Sequence, residues 1–497
     1  MHEVKIVKVN EVFMQVVTED QGLLREIRER FSYKIENAKY NPLVKAKKWD
    51  GIIRLFRMDQ TLYVGLLPEL IMLLKRNRKT YTLEIDSEKV EIPSEEIDAY
   101  INDLSLYGGS SDIKAYDYQI TALHTAIRNK RAVMKASTSA GKSLILFLFI
   151  RWLLEHEPER QILLVVPNVQ LVYQLFKDFQ TYATKDPEFD PGEFVQIMHD
   201  DSEKVIVKPV VIVNVQAIMK QPKGWFLPFN AVVHDEVHRA KAKTFKDVLE
   251  SCVNCDRRLG VTGTLDGIEL HELTIRGLVG KVYDIVSTRE IIDSGRATEL
   301  LVKMILCKHP KEDIPRLREK DYMQEREFIA TSPARREMMY SLIKSLRGNT
   351  LVIYDLVEKH LTPMMTEYRK RNPKQNVFVV NGATPIEERE RIREILESSD
   401  DNVLFCSYGT FSTGVNVKNL KNLVMAMGSK SVVRVKQTLG RMLRTHFSKD
   451  VAHVYDIVDD LRAGTKGRPN YAFLHGKKRR EYYKEDGYKI IYKEIKF

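Results

Sequence analysis

Lys135-Ala-Ser-Thr-Ser-Ala-Gly-Lys-Ser143 is the stretch on which the reading of this chain turns. It follows a short apolar strand, Ala132-Val-Met134, and precedes an apolar helix that starts near Leu144. A strand, a turn of small residues and a helix opening on Lys-Ser form the setting that a phosphate-binding loop requires. Small side chains at Ala136, Ser137, Thr138, Ser139, Ala140 and Gly141 let backbone amides curl round phosphate oxygens, and the helix N-terminus adds positive potential. Lys142 is then the residue to meet the β and γ oxygens of ATP, and Ser143 the one to ligate magnesium. The strict pattern has glycine where Ala136 stands, so the loop alone leaves an ordinary strand-to-helix turn open.

A second stretch answers the first. Ala231-Val-Val-His-Asp-Glu-Val-His238 is an apolar strand that ends in adjacent carboxylates. At the carboxyl end of a parallel strand, Asp235 can reach the magnesium and Glu236 can orient and deprotonate an attacking water. Paired carboxylates also end many solvated turns, and the preceding phosphate loop is what favours the chemical reading.

Around these stretches, apolar strands alternate with helices: Ile162-Leu-Leu-Val-Val166 and Val210-Val-Ile-Val213 belong with the two above. The pattern recurs in Thr350-Leu-Val-Ile-Tyr354, Val377-Phe-Val-Val380, Val403-Leu-Phe-Cys406 and Leu423-Val-Met-Ala426. Short, fully apolar strands separated by helices predict buried parallel sheets of βαβ units. The expected class is α/β, with tandem doubly wound domains over 106–295 and 296–463. Residues 1–105 mix β-type runs with amphipathic helices and predict a small α+β domain, closed by the Gly/Ser cluster Leu106-Tyr-Gly-Gly-Ser-Ser111. Residues 464–497, with Lys477-Lys-Arg-Arg480 and several tyrosines, predict a short basic helix before a terminal strand; that basic run reads as a solvated helix face.

Composition agrees with a multi-domain globular chain: 497 residues, 43% hydrophobic and 30% charged, exceed one core and exclude extensive disorder. The apolar run Leu144–Ile150 is broken by Arg151 and is too short to span a bilayer, so no membrane association is expected. No secretory signal is read at Met1-His-Glu-Val-Lys, which points to the cytoplasm. Four scattered cysteines build no disulfide framework, and the Cys252/Cys255 pair lacks the second pair that a structural zinc needs. They are expected as buried thiols. The net charge of +11 suggests a polyanionic partner.

Further segments, in order, resemble the superfamily 2 helicases across both expected domains. Tyr116-Asp-Tyr-Gln119 resembles the upstream element in which Gln119 reads the adenine edge, and Ala136 to Ser143 matches that superfamily's AxxxxGK[ST] loop, in which alanine replaces the first glycine. Val166-Pro167 with Gln174, and Asn214-Val-Gln216, resemble strand-contacting motifs. Asp235-Glu-Val-His238 has the DExH form, and Thr262-Gly-Thr264 stands in the place of motif III. Ser407–Asn416 resembles motif V. Gln437-Thr-Leu-Gly-Arg-Met-Leu-Arg444 resembles motif VI, with Thr438 where arginine is commoner.

The resemblance implies two RecA-like domains that close on MgATP. Lys142, Ser143 and Asp235 would hold phosphates and metal, Glu236 would activate water, and Arg441 and Arg444 would reach the γ-phosphate. His238, Thr262, Thr264 and Gln437 would couple hydrolysis to movement, and Pro167, Gln174 and Gln216 would touch nucleic acid. A guanidinium at the γ-phosphate offsets transition-state charge, and supplying it from another domain ties hydrolysis to closure.

Within the superfamily, Phe31-Ser-Tyr-Lys-Ile35, Tyr40-Asn-Pro42 and Trp49–Leu55 resemble the small N-terminal domain of phage recombination and repair helicases. That implies a monomeric motor on branched or double-stranded DNA, able to unwind it, regress forks and remove RNA from R-loops. Here Lys47, Lys48 and Trp49 combine phosphate-gripping charge with a stacking ring, though the lysines equally suit a solvated face and the tryptophan a small core. Rival readings are the motor portion of a restriction nuclease, an ATP-gated clamp that does not unwind, and an RNA helicase.

Overall fold

The computed structural model describes residues 3–35, 38–85, 89–310, 312, 321–414, 417–462 and 469–497. Val415 and Asn416 of the motif V stretch, and the expected boundary between 463 and 464, lie outside the described residues. By contact the chain forms two units: Met1–Ala136 with Gly141–Ile285, and Ser137–Ala140 with Val286–Phe497.

The first unit opens with strands β1 (Val4–Lys8), β2 (Phe13–Val17), β3 (Ser32–Lys34), β4 (Ile52–Arg54), β5 (Thr61–Tyr63) and β6 (Tyr81–Glu84). They form a mixed four-stranded sheet, β5-β2-β1-β6, and the small antiparallel pair β3-β4. Seven strands follow: β7 (Arg131–Ala136), β8 (Ile162–Val166), β9 (Val195–Met198), β10 (Val210–Asn214), β11 (Ala231–Asp235), β12 (Arg257–Thr262) and β13 (Lys281–Val286). Their order is β13-β7-β12-β11-β8-β10-β9, parallel from β7 across to β9.

Buried on both faces, these strands split their side chains with period two. Val133, Leu163, Val165, Val211, Val213 and Val232 enter a core shared with the N-terminal sheet, including Val4, Ile6, Met14 and Leu62. Their neighbours Met134, Leu164, Ile212 and Val233 enter the opposite core with the helix Lys142–His156.

The N-terminal domain is therefore seated on the first parallel sheet. Gly65 and Gly277 make the seat possible. A Cβ on Gly65 would lie 2.1 Å from the Arg276 carbonyl oxygen, and one on Gly277 would lie 2.7 Å from the Tyr63 ring. At the rim, Glu250 accepts from Tyr63 and, at 2.9 Å, from Arg57, while Arg276 pairs with Glu69 at 2.6 Å and Arg131 with Glu11 at 2.7 Å.

The second unit is a fully parallel seven-stranded sheet. Its strands are β14 (Glu299–Lys308), β15 (Thr350–Tyr354), β16 (Val377–Val380), β17 (Val403–Ser407), β18 (Asn422–Met425), β19 (Val451–Asp460) and β20 (Lys489–Lys496). They run in the order β16-β17-β15-β18-β19-β14-β20. The C-terminal segment forms the helix Tyr471–Glu485 and the edge strand β20, so it completes this sheet.

Its basic run departs from the expected solvated face at one position. Lys477, Lys478 and Arg480 are exposed, but Arg479 is buried and makes two bonds to Asp456 on β19, at 2.9 and 2.7 Å. Tyr483 donates to the same carboxylate at 2.8 Å. The helix turns Arg479 to the sheet beside Gly428, where a Cβ would strike the guanidinium. A buried carboxylate needs such a partner, which outweighs the pull of solvent on one arginine. All four cysteines are buried free thiols.

Candidate nucleotide site

Strand β7 delivers the loop and the helix Lys142–His156 carries it away. Gly141 caps that helix at φ +70°, and Ser139 also has positive φ, at +76°. Such a conformation costs a non-glycine residue of order 1 kcal/mol or more, and strain of this kind collects at ligand sites. Gly141 has no room for a side chain: a Cβ would stand 2.5 Å from Gln119 Nε2. Gln119 is itself buried, donating to the Gly141 carbonyl at 3.4 Å and accepting from the Tyr116 amide at 2.8 Å. The predicted adenine reader is thus tied directly to the phosphate loop. Lys142 Nζ folds back onto the Ala136 carbonyl at 3.4 Å, and Ser143 Oγ lies 2.8 Å from Tyr182 Oη.

Asp235 ends β11, and Glu236 turns the chain at φ +55°. The Glu236 amide donates to Asp235 Oδ1 at 2.9 Å, which fixes one carboxylate against the other's backbone. Burial, and then the Glu236 charge beside it, raise the Asp235 carboxyl above the usual carboxylate range, with Lys142 opposing. Burial pushes Glu236 upward too, but the bond to His238, with Lys142 and Arg239 nearby, holds it low. His238 Nδ1 is 3.0 Å from Glu236 Oε2 and 3.1 Å from Thr262 Oγ1, and Thr262 Oγ1 donates to the Thr264 carbonyl at 3.1 Å. His238 Nδ1 therefore stands between the Glu236 carboxylate and the Thr262 hydroxyl, which continues to the Thr264 carbonyl just past β12.

The donor set suits magnesium. Ionised Asp235 is penalised by burial and by its neighbour, so a cation there offsets an existing cost. Among the described residues no group of three or more His, Cys, Asp or Glu side chains could hold a metal. An ion at Asp235 and Ser143 would complete its shell with phosphate and water oxygens, as magnesium commonly does.

In the second unit the helix Val432–Met442 buries Val435, Thr438, Leu439 and Met442 and leaves Gln437 and Arg441 partly exposed. Thr438, in the place of the commoner arginine, is buried and donates to the Arg434 carbonyl at 2.8 Å. The Arg441 guanidinium stands 5.2 Å over the Phe411 ring, and the Arg444 carbonyl accepts from Thr298 at 3.1 Å. Loop residues Ser137–Ala140 cluster with this unit, where Ser139 Oγ donates to the Gly440 carbonyl at 2.8 Å.

The expected nucleic-acid contacts fall in several places. Pro167 is buried at the end of β8, whereas Gln174 is exposed on the helix Val169–Tyr182. Gln216 is exposed and accepts from Asn214 at 3.2 Å. Lys47 and Lys48 are exposed in the N-terminal domain, Lys47 at φ +51°. Trp49 is half-buried, its indole N–H given to the Ile52 carbonyl at 3.0 Å. Sequence reasoning passed over Tyr182 and Asp178. Their only signal was four-residue spacing from Gln174, which puts all three on one helix face.

Three family models match the chain. "Type III restriction enzyme, res subunit" covers residues 112–267, "DNA helicase UvsW, N-terminal" covers 5–86, and "Helicase conserved C-terminal domain" covers 334–446. The ATP-dependent DNA helicase uvsW of Enterobacteria phage T4 is 30% identical over 495 residues, 96% of each chain. The crystal structure of T4 UvsW aligns with a TM-score of 0.52 at 27% identity, covering 99% of both chains. Dbp5 of S. cerevisiae, bound to RNA and ADP BeF3, shares the fold alone: TM-score 0.51 at 13% identity over 77% of this chain and 90% of that one.

Proposed function

We infer, because the chain belongs to the superfamily 2 DNA helicases of the UvsW type, that it uses ATP hydrolysis to unwind or remodel branched DNA such as forks, Holliday junctions and R-loops in recombination and repair. That it is an ATP-hydrolysing DNA helicase follows from the family itself. The preference for branched substrates rests on the N-terminal domain, which matches the UvsW type over residues 5–86 and presents Lys47 and Lys48 to solvent.

The observation that carries the chemistry is the half-buried Asp235–Glu236 pair at the end of β11, locked by the Glu236 amide donating to Asp235 Oδ1 at 2.9 Å, with the Lys142 charge acting on both carboxyls. Lys142 meets the β and γ phosphoryl oxygens, and the loop amides between Ala136 and Ser143 wrap the rest. Asp235 and Ser143 would hold magnesium, which would offset charge on the phosphoryl oxygens. Glu236, kept ionised through its bond to His238, orients a water and takes its proton. Arg441 and Arg444 answer the charge that develops on the γ-phosphoryl group, so turnover depends on domain closure. His238, Thr262, Thr264 and Gln437 report that closure to the rest of the motor. Pro167 shapes the turn that presents Gln174, and Gln174 and Gln216 line the strand path. The protein acts as a monomer in the cytoplasm; among the described residues no helix is long and apolar enough to cross a membrane.

The test is ATP turnover measured side by side with single-stranded, double-stranded and forked DNA and with RNA, together with strand displacement from a fluorescent fork. We expect forked DNA to stimulate most and Lys142→Ala to abolish turnover while DNA affinity is kept. Equal turnover by Lys142→Ala removes the site assignment. Stimulation by RNA alone favours an RNA helicase, and DNA binding gated by ATP without displacement favours a clamp.

A further inference from the structure

The helix Val169–Tyr182 ends beside the phosphate loop, and its last residue touches a group that the nucleotide chemistry needs. Tyr182 Oη and Ser143 Oγ are 2.8 Å apart. The ring packs edge-on against Phe147, with centroids 5.5 Å apart, and the backbone that carries it is tied where the Tyr182 carbonyl accepts from the Tyr107 amide at 3.2 Å. Burial, and then the Asp178 charge, push the phenol up to about 12, so it stays neutral at physiological pH. Asp178 lies one turn back on the same face and also acts on Asp235. One helical stripe therefore carries both the hydroxyl that meets Ser143 and a charge felt at Asp235.

We propose that Tyr182 is a positioning residue for Ser143: its hydroxyl accepts the Ser143 proton and so turns the serine lone pairs towards the metal of the bound nucleotide. A serine hydroxyl has one proton and two lone pairs. To ligate a cation it must aim a lone pair inward and its proton away, and a fixed acceptor on the far side selects that rotamer. Without the acceptor the hydroxyl rotates freely, and ordering it again costs metal affinity. Partners that orient a ligand in this way are typically worth 10- to 100-fold in metal binding. The inference rests on Ser143 being a metal ligand.

The experiment uses the full chain and a fluorescent ADP analogue, with binding followed by anisotropy in EDTA and across a magnesium titration. Tyr182→Phe keeps the ring and its packing on Phe147. It is expected to raise the magnesium concentration at half effect by about tenfold while leaving nucleotide affinity in EDTA unchanged. Ser143→Ala is expected to lose more, and the double variant to be no worse than Ser143→Ala, since both remove one interaction. An unchanged magnesium midpoint in Tyr182→Phe overturns the inference, as does an equal loss of affinity with and without magnesium, which marks a merely structural residue. A wild-type midpoint in Ser143→Ala overturns instead the assignment of Ser143 to the metal.

Discussion

Glu236 shows what a single position can carry. At φ +55° its backbone amide donates to Asp235 Oδ1, while its carboxylate lies 3.0 Å from His238 and is held low. Glu236→Gln is close to isosteric, so nucleotide binding should persist while the rate of the chemical step falls roughly 100- to 10,000-fold, the range for loss of a general base. Single-turnover hydrolysis beside nucleotide binding checks this; a loss confined to binding contradicts the role. The placement of such residues was legible because the signal is local: a carboxylate pair closing an apolar strand, a Gly-Lys-Ser opening a helix. Tyr182 was not, because its meaning comes from Ser143, far off in sequence and brought near only by packing. Arg479 misled for the same reason, since its buried partner Asp456 is supplied by another element.

At the scale of elements, apolar runs marked the strands well. Ile162–Val166, Thr350–Tyr354 and Val377–Val380 are strands with the bounds read from the sequence, because each is a short run of β-branched, aromatic and leucine residues between polar or turn-forming neighbours. The edge strand β20 was clear only as an element. Its exposed, lysine-rich pattern carries no sign of which sheet it joins.

Another tie between elements predicts behaviour in acid. Arg335, on the helix Pro333–Ser345, pairs with Asp459 on β19 at 2.7 Å, and His309 reaches the same carboxylate at 3.0 Å. Burial alone would raise Asp459, but Arg335 and His309 prevail and hold it at about 2, against 3.8 for the unperturbed group. A carboxylate with a depressed folded value lends stability above its unfolded value and loses it as pH falls through the folded one. Melting temperatures should therefore drop between about pH 4 and pH 2. Asp459→Asn should be less stable at neutral pH and show a shallower drop over that window.

For the whole molecule, the seat of the N-terminal domain and the net charge of +11 lead to separate expectations. Gly65→Ala places a methyl group against the Arg276 carbonyl, which is backbone and cannot rotate aside. We expect a loss of about 3 kcal/mol or more, as for overpacking, and release of an N-terminal fragment in limited proteolysis. An intact digest pattern would show that the seat can give. Lys47→Ala with Lys48→Ala should weaken DNA binding across sequences and lower the slope of log K against log salt by about 2. An unchanged slope places the DNA elsewhere.

The tandem parallel-sheet architecture and the helicase family were both legible from the ordered motifs, and both hold. What the sequence concealed was the seat, because Gly65 and Gly277 look like any other glycines until two backbones meet. That contact has a mechanical meaning. A loop carried by a tether would let its cargo lag behind; one keyed to the ATPase half by backbone contact has no slack to take up. Lys47 and Lys48, carried by a domain keyed in this way, move with the first parallel sheet as one body.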